Sequence, residues 1–87
     1  MTYRVEILPS AEREMARLDF EVRRRIDRKI LSLADDPRPP GVKALSGTHG
    51  GLRVRVGDWR IVYRVEDDRL LVLVVRVGNR RDVYRER

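Results

Sequence analysis

Three strand-like segments follow one another within residues 52–77, with only two residues between each and the next. The segments are 52–56, 59–66 and 69–77, and the connections are Gly57-Asp58 and Asp67-Asp68. Two residues can join only antiparallel neighbours, because a parallel crossover needs a dozen residues or more. The sequence therefore predicts an antiparallel meander. Its last segment contains LLVLVV, apolar on both faces, which is typical of a central strand covered on both sides.

The first 41 residues predict one strand and two helices. Residues 3–8 alternate apolar and polar side chains, as a half-buried strand does. Ser10 is the predicted N-cap of a first helix with an apolar stripe at i, i+4 and i+7. Residues 20–35 carry a longer stripe and form the second helix, which the proline-rich segment 35–41 ends. The short link at Asp19-Phe20 predicts a helical hairpin.

These elements predict an α+β fold in the order β-α-α-β-β-β. The helical hairpin packs on one face of a mainly antiparallel sheet, and a short C-terminal tail follows the last strand. A chain of 87 residues builds one modest core. We therefore expect a single domain over residues 1–87.

The charge of the chain is positive and unevenly distributed. Twenty basic residues against fourteen acidic ones give +6, and only Lys29 and Lys43 are lysines. Residues 50–87 hold ten arginines and six acids, hence +4, and residues 1–49 hold ten basic residues and eight acids, hence +2. The C-terminal half is the better candidate for a polyanion-binding face. A genome with GC-rich codons would also favour arginine, so the Arg:Lys ratio by itself carries no functional argument.

Several classes of protein are excluded by what the sequence lacks. It has no cysteine, which excludes a disulfide scaffold, a thiolate nucleophile and a cysteine-bound zinc. No His, Asp and Glu spacing resembles a metal site, and no cofactor is predicted. The N-terminal residues are not those of a signal peptide, and the longest apolar run has six residues. We expect a cytoplasmic protein that does not enter a membrane.

A cluster of cations is predicted around the meander. Arg53 and Arg55 project from one face of their strand, and Arg60 lies near the start of the next strand, within reach of the same region. If the tail folds over this face, Arg80 and Tyr84 join them. Such a cluster suits a phosphodiester, because guanidinium groups bind phosphate oxygens and neutralise the charge that grows on them during a displacement. The alternative is that Arg53 and Arg55 are only the solvated face of an antiparallel sheet.

Other polar and aromatic residues carry weaker functional arguments. His49, the only histidine, lies in the turn-rich segment SGTHGG and is either a general base or a surface residue without a role. Asp67 and Asp68 occupy a turn, where aspartate is favoured for backbone reasons. Trp59 and Tyr63 share one face of their strand and are core candidates, although an edge of Trp59 could stack on a base.

The whole chain resembles the RelE/ParE superfamily of toxins from toxin-antitoxin pairs, and within it the RelE branch. The segments that carry the resemblance are YRVEILPSAEREMARL, VKALSG, LRVRVGDWRIVYRV and VRVGNRRDVYR. The pair formed by RVGDWRIVY and RRDVYR is fairly specific, whereas the helical segments are not.

This resemblance implies an endoribonuclease that enters the ribosomal A site and cuts the mRNA codon there. The family's active-site positions fall on Arg53, Arg55, Arg60, Arg80 and Tyr84. The ribose 2′-OH would attack the neighbouring phosphorus without metal or cofactor, with Arg60 and Arg80 stabilising the phosphate charge. Arg53 and Arg55 would orient the backbone, and Tyr84 would act as the base or as a stacking platform. The residues expected to bind RNA are Arg53, Arg55, Arg81 and Trp59.

Two departures from the family pattern affect proton transfer. Relatives often carry lysine on the second strand, where this chain has Arg53 and Arg55, and arginine effectively never loses its proton. Many relatives place histidine before the double arginine, where this chain has Asn79.

The implied partners are a cognate antitoxin, the 70S ribosome and its mRNA. The expected docking residues for the antitoxin are Leu18, Phe20 and Val22 at the helix junction.

Three alternative functions remain open from the sequence. A ParE-like toxin inhibits DNA gyrase without cutting nucleic acid, although that branch generally lacks the groups that Arg80 and Tyr84 supply. A degenerate toxin binds without cutting. A general RNA-binding module would show stacking aromatics over an open sheet.

Overall fold

The computed structural model describes residues 2–45 and 51–79. Five strands and two helices form the fold. In chain order they are β1 (Arg4–Ile7), α1 (Pro9–Ala16), α2 (Phe20–Asp35), β2 (Lys43–Ala44), β3 (Gly51–Val56), β4 (Trp59–Glu66) and β5 (Leu71–Asn79). A short 3-10 turn, Asp67–Arg69, lies between β4 and β5.

The strands form one mixed sheet in the order β1-β5-β4-β3-β2. β1 runs parallel to β5, and every other neighbouring pair is antiparallel. The predicted α+β fold with a mainly antiparallel sheet is confirmed. The central position of LLVLVV is confirmed as well, since β5 lies between β1 and β4, and its adjacent residues Leu71 and Val72 are both buried.

The sequence prediction missed β2. This strand has two residues, too few for any alternation of apolar and polar side chains to show. The last strand also differs from its predicted bounds of 69–77, because β5 begins at Leu71 and runs to Asn79. Gly78 and Asn79, assigned to the tail from their low apolar content, are therefore strand residues.

The core lies between the helical hairpin and one face of the sheet. Ala11 and Met15 of α1 and Ile26, Ile30 and Leu33 of α2 are at most 2% exposed. They pack in one cluster with side chains from β3, β4 and β5: Val54, Ile61, Tyr63, Val72, Val74 and Val77. None of the helices in the described ranges is both long and apolar enough to cross a membrane.

The two helices begin in different ways. The predicted N-cap at Ser10 is wrong, because α1 begins at Pro9 with Leu8 as its N-cap. Proline suits the first helical position, since its missing N–H would have no partner there. The Ser10 hydroxyl instead donates to the carbonyl of Val75, at 2.8 Å. The predicted bounds of the second helix are confirmed, and the Asp19 side chain caps it by accepting from Val22 N at 3.0 Å.

The two predicted turns have different outcomes. Gly57 connects β3 to β4 with a φ of +61°, in the left-handed region that favours glycine. A Cβ at Gly57 would lie 2.7 Å from a terminal nitrogen of Arg25, so the end of this side chain from α2 lies against the turn. Between β4 and β5 the predicted two-residue turn is wrong. The connection there is the 3-10 turn Asp67–Arg69, followed by Leu70 as its C-cap with a φ of +48°.

A bulge in β5 is tied to α1 by a carboxylate. The β4–β5 register skips Val75, because Val62 pairs with Arg76 while Tyr63 pairs with Val74. Just beyond the bulge, Glu14 Oε1 accepts from the backbone N–H of Val77 at 2.8 Å. Glu14 Oε2 accepts from Nε and one terminal nitrogen of Arg76, at 2.9 and 2.7 Å. Glu14 therefore fixes the strand where its regular pairing is interrupted.

Candidate active site

Three of the predicted site residues line one cleft on the face of the sheet opposite the core. Arg53, Arg55 and Arg60 surround a space of about 190 Å³ together with Gly41 and Lys43. The described residues that line this cleft include four cations and no acid. A cleft of this composition favours an anionic ligand.

The sheet register explains why these cations meet. Val54 is buried in the core, so its neighbours Arg53 and Arg55 project from the opposite face of β3. Arg55 lies directly opposite Arg60 in the β3–β4 ladder, and Lys43 lies opposite Arg53 in the β2–β3 ladder. Directly opposite residues have Cα atoms about 4.5–5.5 Å apart. Three neighbouring strands thus hold four cations on rigid backbone.

Arg60 differs from the other cations of the cleft in its burial. It is 5% exposed and is the one charged residue that is buried in the ranges 2–45 and 51–79. Arg55 is exposed and Arg53 is half-buried. Removing a charge from water costs free energy, and a buried charge interacts more strongly with a ligand because fewer water molecules screen it. Arg60 is therefore the best placed of these residues to act on a single phosphate group.

Sequence reasoning missed Gly41 and Lys43 as site residues. Gly41 has a φ of +89°, which lets the chain turn from the proline-rich segment into β2. The available signal was that Lys43 is one of only two lysines in the chain and lies in VKALSG, a segment that carries the family resemblance. Its position became evident only from its pairing with Arg53 across strands.

The remaining predicted RNA-binding and catalytic residues are not in the described part of the cleft. Trp59 precedes Arg60 on β4, so its ring projects from the core face, where it is half-buried against the hydrophobic cluster. Arg80, Arg81, Tyr84 and the candidate base His49 lie outside the described residues. β5 ends at Asn79, opposite Trp59, and the preceding Gly78 lies opposite Arg60. The strand that leads to Arg80 therefore ends beside the cleft.

The three predicted antitoxin-docking residues are not equally accessible. Leu18 and Val22 pack against the core cluster. Phe20 is 71% exposed at the start of α2, and the guanidinium of Arg24 lies over its ring, 5.6 Å from the centroid. Leu31, further along the same helix, is 69% exposed. Of the three predicted residues, Phe20 alone presents most of its side chain to a partner.

A second basic hollow adjoins the cleft. It encloses about 290 Å³ between α2 and the end of β3, and its lining residues are Arg25, Arg28, Lys29, Ser32, Arg55 and Val56. Arg55 lines both spaces, so the cationic surface continues from the cleft onto α2. A surface with several cations suits a polyanion such as a nucleic acid backbone.

The fold and the cleft together define a small basic α+β protein whose rigid strands present guanidinium groups to an anion. The family described as the ParE toxin of the type II toxin-antitoxin system parDE matches residues 5–84. The chain belongs to this RelE/ParE superfamily of type II toxins.

Proteins of similar sequence and structure agree with this assignment. A RelE-like toxin protein of Escherichia coli is 33% identical over 88 residues, which cover 97% of this chain and 92% of that protein. The mRNA interferase toxin RelE of Escherichia coli K12 is 30% identical over 90 residues, covering 99% and 94% respectively. The archaeal RelE-RelB complex from Pyrococcus horikoshii OT3 matches with a TM-score of 0.80 at 28% identity, covering 92% of this chain and 97% of that one.

Proposed function

We propose that this toxin is a ribosome-dependent endoribonuclease that cuts mRNA in the A site and thereby inhibits translation. The observation that carries the proposal is the convergence of Arg53, Arg55 and the buried Arg60 on one cleft. The similarity to the mRNA interferase toxin RelE supports it. Preorganised cations of this kind stabilise a transition state that gains negative charge, because they need no rearrangement when the charge develops.

The proposed reaction is an internal transesterification of RNA. The ribose 2′ oxygen forms a bond to the adjacent phosphorus, the bond from phosphorus to the 5′ oxygen breaks, and the products are a cyclic phosphate and a free 5′-OH. Arg60 and Arg80 stabilise the phosphoryl charge, while Arg53 and Arg55 orient the backbone. Arg80 is bonded to Asn79, whose strand ends beside Arg60, and this supports its membership of the site.

Tyr84 is assigned either to removing the proton from the 2′-OH or to stacking on a base beside the cut. A tyrosine hydroxyl with a reference pKa of about 10 is largely protonated at neutral pH, so proton removal by Tyr84 would benefit from nearby cations. Replacement by phenylalanine separates the two roles, because stacking survives and proton removal does not.

The ribosome is the proposed positioning device. Alignment of the 2′ oxygen with the leaving oxygen is worth several kcal/mol, and the A site would hold the codon in that geometry. The hollow between α2 and β3 is the proposed contact for ribosomal RNA backbone, because Arg28 and Lys29 line it beside Arg55. Free mRNA should be cut poorly.

The decisive experiment is single-turnover cleavage of mRNA programmed on 70S ribosomes with an empty A site. We expect the wild type to cut within the A-site codon and to leave free mRNA intact. Arg80→Ala should lose the activity, and Tyr84→Phe should lose it only if proton removal is its role. Arg13→Gln, on α1, is the matched control for loss of one charge, because Arg13 lines neither the cleft nor the hollow. Intact mRNA with the wild type would overturn the proposal.

A cognate antitoxin is the second proposed partner. The similar archaeal RelE was crystallised with RelB, which supports a protein partner for this chain. We place one docking point at Phe20, the most exposed of the three predicted residues. Phe20→Ala should weaken antitoxin binding about tenfold, as loss of an aromatic anchor of about 1.4 kcal/mol would, and leave mRNA cleavage unchanged. An unchanged affinity would argue against this docking point.

Gyrase inhibition is the alternative function, and the family match favours it in one respect. The matching family is described as the ParE toxin. The resemblance to the ParE branch implies inhibition of gyrase without cutting of nucleic acid. Inhibition of gyrase supercoiling by the purified chain, with mRNA left intact on the ribosome, would establish this alternative. The cationic cleft would then serve only to bind its target.

A further inference from the structure

We propose that Lys43 is the general acid of the cleft and donates its proton to the departing 5′ oxygen. This inference rests on the proposed nuclease function and names a residue that the family resemblance does not include. It follows from the position of Lys43 and from the chemistry of its neighbours.

The position is set by sheet pairing. Lys43 is one of the two residues of β2, lies directly opposite Arg53 and lines the same cleft as Arg60. Its side chain is exposed on an edge strand and lines the cleft, and its flexible four-carbon stem lets the ammonium reach a ligand bound there. Two residues earlier, a Cβ at Gly41 would meet no atom within 4 Å, so the backbone here leaves room for a ligand.

Among the described residues that line the cleft, Lys43 is the one whose side chain can donate a proton. When the bond from phosphorus to the 5′ oxygen breaks, its electron pair stays on that oxygen, and an alkoxide is a poor leaving group unless it gains a proton. Arg53, Arg55 and Arg60 neutralise charge, but a guanidinium does not release a proton in proteins. An ammonium does, and among the described residues that line the cleft Lys43 alone carries one.

Bonds and protons are conserved in the proposed step. The 2′ oxygen loses its proton to the base on its own side and forms the new bond to phosphorus. The 5′ oxygen takes the bonding pair and the proton from Lys43 Nζ. The neutral amine of Lys43 then regains a proton from water, so no further reactant is consumed.

The use of lysine at this position is unusual for the chain. Eighteen of its twenty basic residues are arginine, and one of its two lysines lies in the cleft. If the cleft needed only positive charge at this position, arginine would serve as it does at the neighbouring positions. Lysine at this position places a side chain that can give up a proton among arginines that cannot.

The test compares Lys43→Arg with the wild type on two A-site mRNAs in the ribosome assay. One is ordinary mRNA, and the other carries sulfur in place of the bridging 5′ oxygen at the cut. A thiolate leaves without protonation, since thiols are far more acidic than alcohols. We expect Lys43→Arg to cut ordinary mRNA about 100-fold more slowly and to regain nearly the wild-type rate on the sulfur mRNA.

The possible results distinguish proton donation by Lys43 from a role in charge or in orientation. Wild-type rates for Lys43→Arg on both mRNAs would show that only charge matters at this position and overturn the inference. Equal losses on both would assign Lys43 to orientation and also overturn it. A wild type that cuts neither mRNA would instead remove the proposed nuclease function itself. Thermal unfolding of the exposed Lys43 variant confirms that it is folded in each case.

Discussion

Arg55 and Arg60 face each other directly across the β3–β4 ladder, and both line the cationic cleft. Opposite positions of like charge destabilise a sheet, and burial of Arg60 adds a desolvation cost. A fold selected only for stability would place an acid at one of these positions. The pairing therefore holds two guanidinium groups side by side, where a single bound anion would interact with both of them.

Arg55→Gln should separate stability from activity. Removing one of two facing cations should stabilise the free protein by about 0.5 kcal/mol and raise Tm by about 3 °C. Cleavage on the ribosome should fall at the same time. Arg64→Gln is the matched control for Tm, because Arg64 is also exposed on this sheet but lies opposite Gly51 and Leu73. A Tm that rises equally in both variants would show that total charge, rather than the facing pair, sets the effect.

Arg28→Gln tests the hollow on α2 as a contact for RNA backbone. Arg28 is exposed and lines that hollow but not the cleft. Affinity for the 70S ribosome should fall, and the slope of log affinity against log salt should become shallower by about one unit, because one phosphate contact is lost. The cleavage rate at saturating toxin should stay the same. An unchanged salt slope, equal to that of Arg13→Gln, would contradict this role.

Glu14→Gln should weaken the connection between α1 and β5. The carboxylate accepts from the side chain of Arg76 and the backbone of Val77, and Glu14 and Arg76 are both mostly shielded from water. Glutamine has only one acceptor oxygen, so its NH2 group would face one of the two sets of donors that Oε1 and Oε2 of Glu14 serve. We therefore expect a loss of about 2 kcal/mol and a Tm lower by roughly 10 °C. Glu12→Gln on the same helix is the control. Equal effects at the two positions would show that helix charge, not this network, is responsible.

The sequence predicted most of the fold because the main elements follow simple periodicities. The α2 stripe has the period of a helix, and β3 and β4 alternate with the period of a strand. The short connections between the three strands of the meander then allow only an antiparallel arrangement. The predictions that were wrong concern local features of the chain. The prediction of Ser10 as an N-cap was wrong, because the sequence offers only the residue type as a signal for a cap. In the fold, α1 begins at Pro9, and the Ser10 hydroxyl donates to the Val75 carbonyl.

The cleft was only partly predictable. Arg53 and Arg55 share a face by their spacing, and Arg60 follows from the hairpin turn. Lys43 reaches them only through the pairing of a two-residue strand, a long-range contact that no local pattern encodes. The burial of Arg60 was equally hidden, because alternation on a strand says which face a residue lies on and not how much of it is covered.

Asp67 should make the stability depend on pH in acid. Arg38 donates two hydrogen bonds to its carboxylate, at 3.2 and 2.9 Å, and the Tyr3 hydroxyl donates a third at 2.6 Å. These bonds lower the pKa of Asp67 in the folded state. Their contribution is therefore complete above the unfolded value of about 4 and is lost as pH falls through the folded value.

Asp67→Asn should flatten the acid side of a plot of Tm against pH. Asp68→Asn, in the same exposed 3-10 turn but outside this hydrogen-bond group, should retain the acid dependence of the wild type. Identical acid profiles for wild type and Asp67→Asn would contradict the assignment. Because the group is exposed, the difference should also shrink in high salt.

Tyr63→Phe tests whether the segment that carries Lys43 is held in place by β4. The buried Tyr63 ring donates its hydroxyl to the Pro37 carbonyl at 2.7 Å, and burial raises the pKa of Tyr63 to about 12. Phenylalanine should cost about 1 kcal/mol of stability. Since the folded pKa lies above the unfolded value of about 10, the alkaline loss of wild-type stability between these values should diminish in the variant.

The functional readout of the same variant follows from its position. Pro37 precedes Gly41 and Lys43 in the chain, so loss of the bond should let this side of the cleft move while Arg53 and Arg55 stay fixed on β3. Single-turnover cleavage should fall several-fold with ribosome affinity unchanged. Ser10→Ala is the control, because it removes a hydroxyl that donates to the Val75 carbonyl, and neither Ser10 nor Val75 lines the cleft or the hollow. If both variants cut at the wild-type rate, the bond from Tyr63 to Pro37 stabilises the fold without positioning the cleft.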